Sequence, residues 1–175
     1  MQERTNYLKS ALAEFRRYKT LGDKTFEQIS EEDVHWKYHK TSNSIAIIVK
    51  HMVGNMLSRW TNFHEEDGEK PWRHRETEFE ATYASKKEMK KAWERGWNCL
   101  FDAITSLNEH NFERPILIRN EPHTAFEAIN RQLAHYANHV GQIVILGKMR
   151  KGESWKSLSI AKGDSENFNS RMFTP

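Results

Sequence analysis

TAFEAINRQLAHYANHVGQIVIL, running from Thr124 to Leu146, is the stretch from which the rest of the chain is read. Thr124 followed three residues later by Glu127 is a capping-box signature, in which a hydroxyl and a carboxylate satisfy backbone N–H groups that a helix start leaves unpaired. Behind it Ala125, Ile129, Leu133, Ala137, Val140 and Val144 leave no broad polar face. The spacing therefore predicts a long helix that is apolar on nearly all sides, and so the most buried of the fold. His135 and His139 lie four residues apart within it. Residues at that spacing stand about 40° apart around a helix axis, so both imidazoles can reach one point.

Upstream, apolar residues again recur three or four apart, which is the helical period and not the alternation of a strand. One such helix begins near Ser42 or Ser44 and carries Ile45, Ile48, Val49, Met52, Met56 and Trp60 on a broad face, with His51 at its edge beside Ser44, Ile48 and Asn55. A second capping box, Ser85 with Glu88, opens a helix through Met89, Trp93, Leu100 and Ile104 to about Asn108. The first helix runs from about Arg4 to Leu21, with Leu8, Leu12, Phe15 and Lys19 in one stripe and Gly22 read as its end. Four helices of this kind make an all-α fold, a four-helix bundle.

The connections are legible too. Ser30-Glu31-Glu32-Asp33 leads as a capped turn into Val34 and Trp36 and is expected to plug one bundle end. Between His64 and Glu80, Gly68 and Pro71 break any helix, which makes this an ordered crossover loop in which Trp72 needs cover. Arg114 to Ile118, bounded by Pro115 and Pro122, is too short for a helix and is read as a minor extended piece. The tail after Gly152 has no sustained period and is read as an extended arm wrapping the bundle.

A length of 175 residues suits one domain, residues 1–175, with one core. The formal charge is +3 and the pI about 8.9, but acidic and basic residues are interleaved, which argues against nucleic acid as a partner. The basic stretches Arg73-His74-Arg75 and Lys86-Lys87 read as solvated, salt-bridged faces. Cys99 is the only cysteine, so neither an intrachain disulfide nor a multi-cysteine metal cluster can form, and a reducing cytoplasm is the expected home. Its aromatic neighbourhood marks it as a buried small hydrophobe. No apolar run approaches the roughly 18–20 residues a membrane span needs, and Met1 to Asn6 lacks a leader's apolar run.

With His51 on one helix and His135 and His139 on another, three imidazoles can converge in a bundle core, the way such cores build metal sites. Three neutral nitrogens leave open positions for water or substrate, as a catalytic ion requires. Zn²⁺, Ni²⁺ and Fe²⁺ all accept imidazole, so the donor type leaves the metal open. Peptide hydrolysis of the zincin type is excluded, because that motif needs Glu after the first His and Tyr136 stands there. His35, His39, His64, His74, His110 and His123 fall in loops or near helix ends and read as exposed polar residues, with His123 the least clear.

Three segments, Ser44 to Asn55, Asp67 to Arg73 and His135 to Gln142, resemble one branch of the DinB and YfiT-like superfamily of metalloenzymes, with one His in the second helix and a His-x-x-x-His pair in the fourth. The resemblance implies an antiparallel four-helix bundle with a long crossover, a three-histidine site and a homodimer. It also implies metal-dependent transferase or isomerase chemistry with a low-molecular-weight thiol such as bacillithiol, mycothiol or glutathione. An open divalent site supports such chemistry by lowering the pKa of a bound thiol.

In that reading Asn55, Arg59 and Gln142 orient the electrophile or a metal-bound water, their alternative being helix–helix hydrogen bonding. Lys70 and Arg73, beside Trp72, grip an anionic cosubstrate at the pocket mouth, their alternative being a salt-bridged loop anchored by its tryptophan. The competing function is a non-enzymatic ligand-binding or stress-response dimer with a vestigial pocket, for which His139 is dispensable.

Overall fold

The computed structural model describes residues 2–80 and 83–173. These form five α-helices and one small sheet: α1 (Gln2–Gln28), α2 (Ile45–Trp60), a 3-10 segment (Arg75–Phe79), α3 (Lys86–Thr105), β1 (Ile116–Ile118), β2 (Glu121–His123), α4 (Ala125–Lys151), a 3-10 turn (Gly152–Ser154) and α5 (Ser165–Met172). The fold is thus mostly helical. The four long helices close a ring of contacts in which α1 packs on α3 and α4, and α2 packs on the same two. No helix among the described residues is long and apolar enough to cross a membrane.

The capping signals are realised at the expected places. Ser44 accepts from the Ile47 N–H, Ser85 from the Glu88 N–H, and Thr124 with Glu127 forms the full reciprocal box. The extended piece pairs Ile116↔His123 and Ile118↔Glu121 as a two-stranded antiparallel hairpin. Its two-residue turn, Arg119-Asn120, has both φ angles positive, 54° and 61°, the conformation that matches strand twist in tight hairpins. The Asp67 carboxylate accepts both turn N–H groups, at 2.9 and 2.6 Å, and so docks the crossover loop on the hairpin.

Four expectations are corrected. First, α1 does not stop at Leu21 but continues to Gln28. Gly22 is there because the Trp93 indole packs against it, and a Cβ would lie 2.5 Å from the ring. A close approach, not a helix end, explains the glycine. Second, the most buried helix is α2, where polar Asn55, Ser58 and Arg59 are buried along with the apolar residues, whereas α4 leaves Phe126, Ile145 and Met149 exposed. Apolar residues on all sides of a helix do not guarantee burial on all sides. Third, Trp72 finds no cover and is half exposed. Fourth, the tail is not simply an extended arm, since it contains α5 after a segment whose Lys156 backbone is clasped by the Gln28 amide at 2.8 and 3.0 Å.

The turn after α1 supplies a pH-dependent tie. Asp33 accepts from the Ser30 N–H at 2.9 Å and from Arg150 Nε on α4 at 2.6 Å. Burial alone raises its pKa, but these donors and the Arg150 charge outweigh it and hold the carboxyl below its ordinary value. A depressed folded pKa stabilises the protein above the unfolded value, roughly 3.9, and that stability is lost as pH falls through the folded value. Asp33→Asn should therefore cost about 1–3 kcal/mol in urea unfolding at pH 7, with the gap to the parent protein narrowing as pH falls below the ordinary carboxylate range. A pH-independent gap would show that the charge is not responsible.

Candidate metal centre

His51 sits in the second turn of α2, on the flank that α4 covers, and His135 and His139 face it from α4. Their Nε2 atoms converge: His51 Nε2 lies 3.3 Å and His139 Nε2 3.0 Å from His135 Nε2. One ligand atom from each of the three lies within 4.8 Å of the others. Nitrogens sharing one ion at roughly 2.1 Å, with angles between octahedral and tetrahedral, stand about 3.0–3.4 Å apart. The two direct separations fall in that span.

The outer nitrogens decide the tautomers. His51 Nδ1 is 2.9 Å from Glu78 Oε2, His135 Nδ1 3.4 Å from Gln132 Oε1, and His139 Nδ1 3.4 Å from Gln142 Oε1. An ionised carboxylate only accepts, so His51 Nδ1 donates to Glu78, and the Gln132 and Gln142 oxygens favour the Nδ1 proton on His135 and His139 in the same way. Each Nε2 then presents a lone pair to the common centre. Burial, followed by the neighbouring imidazoles His139 and His51 and the charges of Arg73 and Arg59, pushes His135 down to about 3. Burial and His51 likewise lower His139. Both rings are neutral near pH 7. Nε2 nitrogens that converge in this way favour a cation at the common centre.

Glu78 is the functional residue that sequence reasoning missed. It stands on the 3-10 segment, is 5% exposed, and also accepts from Arg73 Nε at 2.8 Å and Nη2 at 3.1 Å. Burial raises its pKa, but the His51 and Arg73 hydrogen bonds and charges prevail and keep it ionised. Phe79, the next residue, stacks on His51 at 5.4 Å. Gly54, less than one turn beyond His51, is needed because a Cβ there would collide with the Glu78 carboxylate. A carboxylate behind a ligand imidazole orients the ring and raises its basicity. Glu78→Gln should accordingly weaken Zn²⁺ binding by about 10–100-fold in a competition titration with a chelating dye. Unchanged affinity would remove Glu78 from the site.

The other predicted positions divide. Asn55 and Arg59 follow His51 at four-residue intervals on one flank of α2, and both line the cavity beside His51 and His135. Asn55 Oδ1 accepts from the Tyr136 hydroxyl at 2.9 Å, so its helix–helix role is realised, and its amide nitrogen has no hydrogen bond among the described residues. Gln142 Oε1 stands 3.4 Å from His139 Nδ1 and is not among the residues lining the cavity. Arg73 is not a solvated residue, because its side chain is 3% exposed and held on Glu78. Lys70 is buried with its ammonium 2.8 Å from Glu66 and is not among the residues lining the cavity. Cys99 is half-buried, and burial pushes its thiol up. Of the remaining histidines, His39 bonds Thr41 and His123 the Glu121 carbonyl, while His64 buries both ring nitrogens without a partner.

The chain belongs to the family described as "Protein of unknown function (DUF1572)", whose model matches residues 2–164. No curated protein matches it.

Proposed function

We propose that this chain is a metal-dependent enzyme of the DinB-like type, in which His51, His135 and His139 hold one divalent ion, Zn²⁺, Ni²⁺ or Fe²⁺, and the reaction transfers a low-molecular-weight thiol to a small electrophile. The observation that carries the reading is the convergence of three Nε2 lone pairs, each fixed by an acceptor behind Nδ1. In this reading the ring of α1 to α4 is the antiparallel four-helix bundle of DinB-like proteins, residues 1–175 form one domain, and the working unit is a cytoplasmic homodimer.

An ion held by three neutral imidazoles keeps open positions and acts as a Lewis acid that lowers the pKa of a thiol or water bound there. The protein supplies the rest. Glu78, itself clamped by Arg73, keeps the His51 tautomer in place, and Gln132 and Gln142 do so for His135 and His139. Asn55, with its oxygen committed to Tyr136, offers an amide donor to a substrate in the cavity. Arg59, on the same flank, offers positive charge to the anionic part of that substrate.

The test is conjugation of a thiol to a chromogenic electrophile by the tag-free protein, run across glutathione, bacillithiol and mycothiol with and without Zn²⁺, Ni²⁺ or Fe²⁺. The reading expects a rate that needs both metal and thiol and disappears in His139→Ala. A metal-independent rate, or none with any thiol, would overturn it.

A further inference from the structure

Beside His51 and His135 lies a cavity of about 300 Å³. Five arginines wall it: Arg59 from α2, Arg73 and Arg75 from the crossover segment, Arg119 from the hairpin turn and Arg131 from α4. No carboxylate is among the described residues that line it. Two of the five charges are matched from outside, Arg73 by Glu78 at 2.8 Å and Arg119 by Glu69 at 3.1 Å. Arg59, Arg75 and Arg131 form no ion pair among the described residues, which leaves the cavity with an excess of positive charge.

Arg59 is the telling member. It is 4% exposed, and its Nε and Nη1 are buried without a hydrogen-bond partner among the described residues. A buried guanidinium left unmatched is costly unless something supplies the missing acceptors. Its guanidinium is held in place by close packing on the Gly68 backbone, where a Cβ would lie 2.6 Å from Arg59 Nη1. The turn that carries Arg119 is likewise fixed, by Asp67 on both of its N–H groups.

We infer that this cavity is an anion subsite that takes a dianionic oxyanion head, a phosphoryl group or a pair of carboxylates, on the molecule that reacts at the histidine centre. Guanidinium groups bind such heads through paired N–H donors, and three unmatched ones, from α2, the 3-10 segment and α4, suit a compact, multiply charged group better than a single carboxylate. An anion there offsets the mutual repulsion of Arg59, Arg75 and Arg131. The role as a substrate subsite rests on the metal-centre reading, whereas the binding of the anion does not.

The experiment is calorimetric titration of the full chain, metal-free and Zn²⁺-loaded, with inorganic phosphate and with succinate at about 0.15 M NaCl, where diffuse attraction is largely screened. One anion per chain should bind, and the better of the two ligands identifies whether the head is phosphoryl or a carboxylate pair. Arg59→Gln should weaken binding by about tenfold or more. Arg131→Gln, at an exposed position that tolerates change, should weaken it severalfold and covers the case in which the Arg59 variant misfolds. His139→Ala, outside the cavity wall, should lose metal and keep its anion affinity within about threefold.

Absence of binding by either anion at about 10 mM, or affinities that ignore both arginine substitutions, would overturn the inference. The two readings fail separately. A protein that takes up no metal yet binds phosphate through Arg59 sinks the metal centre and keeps the subsite. One that holds Zn²⁺ and binds neither anion does the reverse.

Discussion

His135→Ala should bind Zn²⁺ at least about 100-fold more weakly than the parent protein, since even residues behind a ligand are worth 10–100-fold. His135 is the right probe because its Nε2 is the middle one of the three, 3.3 Å from that of His51 and 3.0 Å from that of His139. Removing it leaves two nitrogens on different helices and opens a gap where they met. The fold has little reason to suffer, because the side chain is only partly buried and its outer nitrogen makes one long contact, 3.4 Å to Gln132. Competition with a chelating dye reads the affinity and circular dichroism checks the helices. His123→Ala, at a ring bonded to the Glu121 carbonyl, is the control and should bind as the parent does. Equal affinity in the two variants would dissolve the proposed site.

Trp97→Ala is expected to produce the largest loss of stability, about 3–5 kcal/mol in urea unfolding. Trp97 is fully buried on α3. Its ring meets Phe15 of α1 at 6.3 Å, Trp93 at 5.3 Å, Phe101 at 5.7 Å and Tyr136 of α4 at 5.8 Å. Truncation therefore opens a cavity where three helices meet, and the neighbours, themselves large rings, can collapse only partly. Trp97→Phe separates packing from polarity. The indole Nε1 is buried without an acceptor among the described residues, so the phenyl ring removes an unsatisfied donor while keeping most of the volume. It should cost well under half of what alanine costs. Equal losses for the two variants would mean that shape at this point matters more than filled volume.

The histidine cluster was legible because it depends on local geometry that sequence spacing encodes. His135 and His139 share a face by the helical period, and His51, Asn55 and Arg59 follow one another at four-residue intervals on α2. Glu78 was not legible. It reaches His51 from a segment 27 residues away, and a glutamate in an acidic loop carries no mark that tells a buried one from a solvated one. The arginine cavity is harder still, since its five residues come from four elements and meet only in the fold. Arg73 illustrates the trap: the charge run that reads as solvent-facing hides a side chain clamped on Glu78.

The starts of α3 and α4 were read correctly from the pairs Ser85/Glu88 and Thr124/Glu127, whose chemistry is local. Gly22 misled because glycine marks helix ends and close helix contacts alike, and only the position of Trp93 separates the two. The same limit applies to α4, whose apolar residues exceed what its neighbours can cover.

The central claim is one divalent ion on three imidazoles, and X-ray absorption at the metal edge of the Zn²⁺-loaded chain tests it most directly. Three imidazole nitrogens at roughly 2.0–2.1 Å are expected, with one lost in His51→Ala. A first shell without imidazole, or a spectrum that His51→Ala leaves unchanged, would contradict the account.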